Sequence, residues 1–497
     1  MKLVIFNQDL RIFDNPALFF ACKKSQEDGQ KILPIFIFDE VNKRKIGGAS
    51  KWFLHSALEE LQKNLYQNLG LELLIFKGET IAVLQKIIFG GVQEIYLNKL
   101  YEPFNIRLEG QIKNLALLKN ISVFDFKSYL LFKPDEIKNG AGSYFKVFTP
   151  FWKNCLKSWE LVKPPLDYPT SPLKLSKGDA SIIQNSKEKI GLPFDLPSPA
   201  MTLEDLSFLP TDPDWTEKFA EIWHFDRPSI LKNFQHFLKY NLKNYNEIRN
   251  IPSKNATSKL SPYLHFGLIS VNEIVDLVKK HHIKNPEDKA GTSQFLAEIV
   301  WREFSHHLLF HFPELPNQNF KKQFDNFEWE NNPDLLKKWQ KGQTGFPIVD
   351  AGMRELWQTG FMQNRVRMIV ASFLIKDLFI DWRKGEEWFW DCLVDANLAN
   401  NSASWQWVAG SGADAAPYFR IFNPVLQSER FDADGEYIKK YLPELKNLPK
   451  KFIHKPWELS AIELKKYGVE LGKNYPQRIV LHEEARNKAL ELYKKLT

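Results

Sequence analysis

At 497 residues the chain is long enough for two or three domains that each bury a core. Its 44% hydrophobic and 26% charged residues exclude a fibrous or disordered chain, and a net charge of +7 permits an anionic partner without requiring one. Three scattered cysteines, Cys22, Cys155 and Cys392, give neither a zinc spacing nor a disulfide framework, and no apolar run is long enough to span a bilayer; a cytoplasmic protein without metal is expected.

In chain order, residues 1–130 alternate short β-rich runs with amphipathic helical patterns. Strands are predicted at 3–6, 32–38, 71–76, 94–97 and 123–126, with a helix at 50–69 where Trp52, Leu58, Leu61 and Leu65 recur at helical spacing. Near-continuous apolar strands joined by helical crossovers predict an α/β domain, a doubly wound parallel five-stranded sheet. No GxGxxG follows the first strand, which excludes the usual dinucleotide fingerprint; it runs instead into NQDLRIFDNPAL, and the opening MKLVIFNQDLR is too polar for a signal peptide. Residues 131–201 read as an interdomain connector, rich in Pro, Ser and Lys from 162 to 200. From 202 to 497 the pattern is helical, with examples at 230–242, 271–280, 294–310, 352–357 and 481–496, and predicts an all-α domain.

Four constellations carry chemistry. TSKLSPYLHFG, from Thr257, sets three hydroxyls before a helix with Ser261 as N-cap and Pro262 at its first position; such a cluster suits a phosphate, and plain capping is its commoner use. Glu298, Trp301 and Arg302 stand at i, i+3 and i+4 on one helix face, a pattern that also fits a surface ion pair beside a buried indole. NRVRM, Asn364 to Met368, and Asp395 suit a structural ion pair between helices. The fourth stretch, LVDANLANNSASWQWVAGSGADAAPYFRIFNP from Leu393, combines two indoles, an amide pair and small residues, which let a flat ligand approach backbone and meet uncharged hydrogen-bonding groups. His307 and His311 have the spacing of two metal ligands, but the glutamate of HExxH and a third ligand are missing.

These motifs resemble the photolyase/cryptochrome family across nearly the whole chain, most closely the class I cyclobutane pyrimidine dimer DNA photolyases. NQDLRIFDNPAL is similar to the family's opening motif, with Ile5 and Asn7 in place of its Trp and Arg, and YFKVFTPFW at 144–152 to the exit from its first domain. The resemblance implies that the helical domain binds FAD and DNA and is catalytic. It assigns FAD to Tyr245, Thr257, Ser258, Lys259, Leu260, Ser261, Arg302, Asn364, Arg367, Asp395, Ala396, Asn397 and Asn401. Glu298, Trp301, Trp407 and Met368 would line the cavity for damaged bases, with Arg302, Asn364, Arg365, Arg249 and Arg420 toward DNA. Asn401 would face flavin N5, where plant cryptochromes carry Asp and insect ones Cys. Trp405, Trp382 and Trp329 match a chain of oxidisable indoles from flavin to surface, although dispersed tryptophans are ordinarily packing residues. Asn397 replaces a common Asp, Gln363 a common His, and HFDRPS at 224–229 a usual Gly-Glu.

The family's mechanism, so implied, is light-driven splitting of a dimer flipped out of the duplex, by an electron lent from excited, fully reduced FAD and then returned. UV-damaged DNA is the expected partner of a monomer that associates with the nucleoid when bound, as in bacteria. The alternatives are a cryptochrome, a blue-light photoreceptor without repair, and a flavin-free nucleic-acid-binding protein. The helical ending at 481–496, without a low-complexity tail, favours the enzyme. A second, antenna chromophore belongs to many members of the family; YEPFNIRLEG at 101–110 lacks the Asn-Glu of the best-known folate site and leaves its identity open.

Overall fold

The computed structural model describes residues 1–41, 44–88, 91–172, 201–415 and 419–496, so residues 173–200 of the predicted connector lie outside the described residues. The N-terminal sheet has five parallel strands, β1 (Lys2–Phe6), β2 (Ile32–Phe38), β3 (Leu74–Lys77), β4 (Glu94–Lys99) and β5 (Ser122–Lys127), in the order β3-β2-β1-β4-β5. Alternation along the strands sorts the side chains. Leu3, Ile35, Ile37 and Ile95 pack with the helices α3 (Thr80–Ile88) and α4 (Pro103–Leu118). Val4, Phe6, Phe36 and Ile75 pack on the other face with α1 (Pro16–Asp28) and α2 (Gly48–Leu69). The doubly wound expectation is met. Pro34 sits opposite Val4, and β3 pairs with β2 only from Ile35 onward.

The third strand starts later than the predicted 71–76. The Leu71 N–H bonds back to the Leu65 carbonyl and Gly70 adopts a left-handed conformation, so Leu71 belongs to the exit from α2.

The remainder is mostly helical. The core of the α1–α2 face runs without a break into it, through Phe234, Phe237, Phe295, Ile299 and Phe304. The opening motif makes the join: Arg11 donates through Nη1 to the Gly267 carbonyl at 2.9 Å and through Nη2 to Ser128 Oγ at 2.6 Å, and the Leu10 N–H reaches the Phe266 carbonyl. A second core, around Trp339, Phe373, Trp382 and Trp405, fills the far helices. Among the described residues no helix is long and apolar enough to cross a membrane.

Candidate functional site

The helix Leu398–Ala409 packs among the helices Lys289–His311, Asn364–Lys376 and Trp382–Cys392, and these four bring the sequence constellations together. Ala399, Ser402 and Ala409 are fully or nearly fully buried, and such small residues allow close approach. Asn397 is its N-cap: Oδ1 accepts from the Asn400 N–H at 3.1 Å, while Nδ2 donates to the Tyr129 hydroxyl at 3.1 Å and meets His265 Nδ1 at 3.4 Å. An aspartate there could cap equally well but could not donate, so this departure from the family pattern ties the helix to the end of β5.

Asp395 receives Arg367 Nη2 at 3.1 and 3.0 Å on its two oxygens and the Ser261 hydroxyl at 2.6 Å. Ser261 is therefore not the N-cap expected. It is the first residue of the short helix Ser261–Phe266, has no capping bond, and spends its hydroxyl on a charged acceptor, the stronger partner. Ala396 is buried beside Asp395, as is Leu260 beside Ser261. Thr257, Ser258 and Lys259 form a half-buried loop, with Lys259 at φ 51° and its amine held below the usual lysine range by burial. Tyr245 is buried against Phe237 and Phe295, which pushes its hydroxyl up to about 12. Asn401, also buried, donates from Nδ2 to the main-chain oxygen of Glu386 at 3.1 Å and to its Oε1 at 2.8 Å.

On the Lys289–His311 helix, Glu298 pairs with Arg249 and accepts from Gln294 Nε2 at 2.8 Å. Trp301 is half-buried, stacks on Phe148 with ring centroids 3.6 Å apart, and meets Phe304 edge-on at 5.8 Å. Arg302 is drawn toward Tyr129 and Leu264. Its guanidinium lies 4.3 Å from the Tyr129 ring and donates to the carbonyls of Tyr129 at 3.1 Å and Leu264 at 3.5 Å.

Arg365, half-buried, donates to Asn250 Oδ1 and lies 4.4 Å over Phe431; burial and the nearby Arg249, Arg430 and Arg420 lower its pKa. These four arginines neighbour one another, and Arg249 links them to Glu298 through its ion pair. Asn364 is exposed at the start of its helix; Met368 and Trp407 are half-buried. Gln363 caps that helix, accepting from the Arg365 N–H at 2.7 Å, and donates to the Arg249 carbonyl, which holds the arginine loop in place.

The WQW run points three ways. Trp405 enters the second core, its ring 5.0 Å from Phe389 and 6.3 Å from Trp339. Gln406 is saturated by Leu315, Gln318 and Phe320, and Trp407 is half-buried at the edge of the second core. Trp382 is fully buried and donates to Asn319 Oδ1 at 2.9 Å, while Trp329 packs on the same core half-buried. Burial thus decreases from Trp405 and Trp382 to Trp329.

The donors fit an anionic flavin nucleotide: hydroxyls and Lys259 on one loop, the Arg367–Asp395 pair, and Asn401, whose Oδ1 receives no hydrogen bond among the described residues. His307 Nε2 accepts the Phe145 N–H at 3.1 Å and burial pushes its pKa down to about 4, the environment of a core imidazole. No group of three metal ligands occurs among the described residues. Sequence reasoning missed Glu386, Arg44 and Phe148 as parts of the site. Only their contacts across elements mark them, and no local pattern does.

Residues 295–495 match the family described as the FAD binding domain of DNA photolyase, and residues 2–170 the family described as DNA photolyase. A deoxyribodipyrimidine photo-lyase of Agrobacterium fabrum is 43% identical over 99% of this chain and 97% of its own length. Cryptochrome-2 of Arabidopsis thaliana is 35% identical over 97% of this chain and 77% of its own. Among solved structures, a bacterial class III photolyase from Agrobacterium tumefaciens superposes with a TM-score of 0.89 at 42% identity, covering 100% of this chain and 97% of that one. An archaeal photolyase from Sulfolobus tokodaii, described with two FAD molecules, gives a TM-score of 0.77 at 30% identity with full coverage of both chains.

Proposed function

The chain belongs to the DNA photolyase/cryptochrome family, and on that premise we propose that it is a deoxyribodipyrimidine photo-lyase that repairs cyclobutane pyrimidine dimers in DNA under light. The Agrobacterium neighbour is described as a class III photolyase, which supports class III for this chain in place of the expected class I. The observation that carries the reading is the Glu298 carboxylate and the partly exposed indole of Trp301, one helical turn apart, with Glu298 paired to Arg249, which neighbours Arg365 and Arg420. An extruded pyrimidine dimer, poorly stacked in the duplex, finds there an aromatic platform, a hydrogen-bonding carboxylate and cations for the flanking phosphates.

Tyr245, the Thr257–Ser261 loop, Asn364, Arg367, Asp395, Ala396, Asn397 and Asn401 would hold FAD, with Arg302 fixing the floor through Tyr129 and Leu264. When bound and reduced, it supplies the electron that opens the dimer. Asp395 holds Arg367 and Ser261 in place, Trp301 and Trp407 exclude water from the dimer, and Trp405, Trp382 and Trp329 line a path to the surface. UV-damaged DNA is the partner, met by a monomer at the nucleoid; the Sulfolobus photolyase, described with two FAD molecules, supports room for a second chromophore, whose identity here stays open.

The test is to illuminate the reduced protein with an oligonucleotide carrying one thymine dimer. Restored thymines in light and none in darkness are expected. A yellow, flavin-loaded protein that restores none under light would instead be a cryptochrome photoreceptor.

A further inference from the structure

The amide of Asn401 is held from the other domain. Arg44, in the loop between β2 and α2, binds both oxygens of Glu386, Nη1 to Oε1 at 2.7 Å and Nη2 to Oε2 at 2.8 Å. Glu386, 3% exposed, in turn takes the Asn401 Nδ2 on Oε1 at 2.8 Å and on its main-chain oxygen at 3.1 Å. Residues 44–48 are seated firmly. Arg44 lies 4.3 Å over the Trp390 ring, the Trp390 indole donates to the Lys45 carbonyl at 2.8 Å, and the Gly48 N–H reaches Asp391 Oδ1 at 2.8 Å. A Cβ on Gly47 would fall 2.2 Å from the Trp390 carbonyl oxygen, so no larger residue allows this approach.

We propose that Arg44 and Glu386 are positioning residues that fix Asn401 with its carbonyl oxygen toward the flavin. The inference rests on the flavin reading of this site. A primary amide can face a ligand with either end, and the two ends have opposite hydrogen-bonding character. An ionised carboxylate only accepts, so Glu386 selects the amide nitrogen, and Arg44 neutralises the carboxylate in bidentate geometry that a lysine cannot copy. The end left for flavin N5 is an acceptor. It can take the N5–H of reduced flavin and offers no proton to oxidised N5. The sheet domain thereby sets which flavin state the helical domain favours.

The test uses the full chain loaded with FAD carrying 15N at N5. In the oxidised wild type the N5 resonance should sit where a flavin N5 without a donor sits. Glu386→Gln introduces a group that can itself donate, frees Asn401 to turn, and should move the resonance upfield. Arg44→Ala should move it the same way by less, raising the turned fraction roughly threefold to tenfold for one weakened hydrogen bond, with Arg44→Lys between it and the wild type. A purely structural clamp would lower the melting temperature and leave N5 alone. A wild-type N5 already receiving a hydrogen bond overturns the proposal, as does a loaded Glu386→Gln protein with an unmoved resonance. If Glu386→Gln does not fold, Arg44, 32% exposed, decides the matter on the same scale. A chain that takes up no FAD refutes the flavin reading itself, an outcome distinct from an unmoved resonance in a loaded protein.

Discussion

Gly385→Ala probes how closely the helix Trp382–Cys392 must approach the indole nearest the proposed flavin. A Cβ at 385 would lie 2.1 Å from the Trp405 six-membered ring and 2.6 Å from Leu374 Cδ2. Ordinary contact begins at 3.4 Å, so about 1.3 Å of separation must be found between two packed helices. Trp405 is backed by Phe389 at 5.0 Å and Trp339 at 6.3 Å, so the ring has no empty space to enter, and the helices themselves must part. The expected loss of stability is about 1–3 kcal/mol, the range for overpacking a filled core. The same displacement moves Glu386, the next residue, off Asn401, so light-driven reduction of bound FAD with an external thiol should slow as well. Gly110→Ala is the control: it stands in α4 with nothing within 4 Å of its Cβ, and alanine there should stabilise by about 0.5–1 kcal/mol. Thermal melts and photoreduction rates of the three proteins decide. If Gly385→Ala melts with the wild type and reduces its flavin as fast, the close packing around Trp405 has been misjudged.

Trp301→Ala should weaken binding of dimer-containing DNA by about 1–3 kcal/mol, the range for a lost stacking partner, with FAD retained; a wild type that binds damaged and intact DNA equally would remove the basis for this. Arg365→Ala should weaken both DNAs alike and reduce the slope of log affinity against log salt by about one, whereas an effect confined to damaged DNA would make Arg365 a reader of the lesion. Trp329→Phe should keep the fold and impair photoreduction, because phenylalanine is far harder to oxidise, while repair by pre-reduced protein stays intact; normal photoreduction would make Trp329 a packing residue. Burial pushes the Glu303 carboxyl up to about 7, against the pull of Arg302 and the N–H groups of Leu131 and Phe132. The fold then holds this proton more tightly than the unfolded chain, so its contribution is present below about pH 4.5 and is lost as pH rises through about 7, at most about 3 kcal/mol. Glu303→Gln keeps an acceptor oxygen and should flatten that window in pH-dependent melts; an unchanged profile would assign the slope to other groups.

The sheet was readable because its determinants are local. Ile32–Phe38 is apolar throughout, as a strand covered on both faces must be, and the crossover helices repeat at the spacing a parallel sheet requires. The Arg367–Asp395 pair and the stretch around Asn401 were readable through motifs that carry their own residue types. Where the chain turned was harder. Ser261 looked like a cap, yet an aspartate 134 residues away claims its hydroxyl. Arg302 shares a helix face with Glu298, yet Tyr129, from beyond the sheet's last strand, draws its guanidinium inward.

What the sequence by itself determined was the set of chemical groups and their periodicity: which segments become strands or helices, which amides, acids and indoles are available, and which family they spell. What only the tertiary structure decided was the partner of each group. Asn397 became a cap and a tie to Tyr129, Gln363 the support of the Arg249 loop, and Glu386 the bridge from Arg44 to Asn401. The physical reason is that hydrogen bonds and ion pairs reach only about 3 Å. Arg44 and Glu386 are 342 positions apart along the chain, and no pattern in one dimension brings them to that distance; the packing of two domains does.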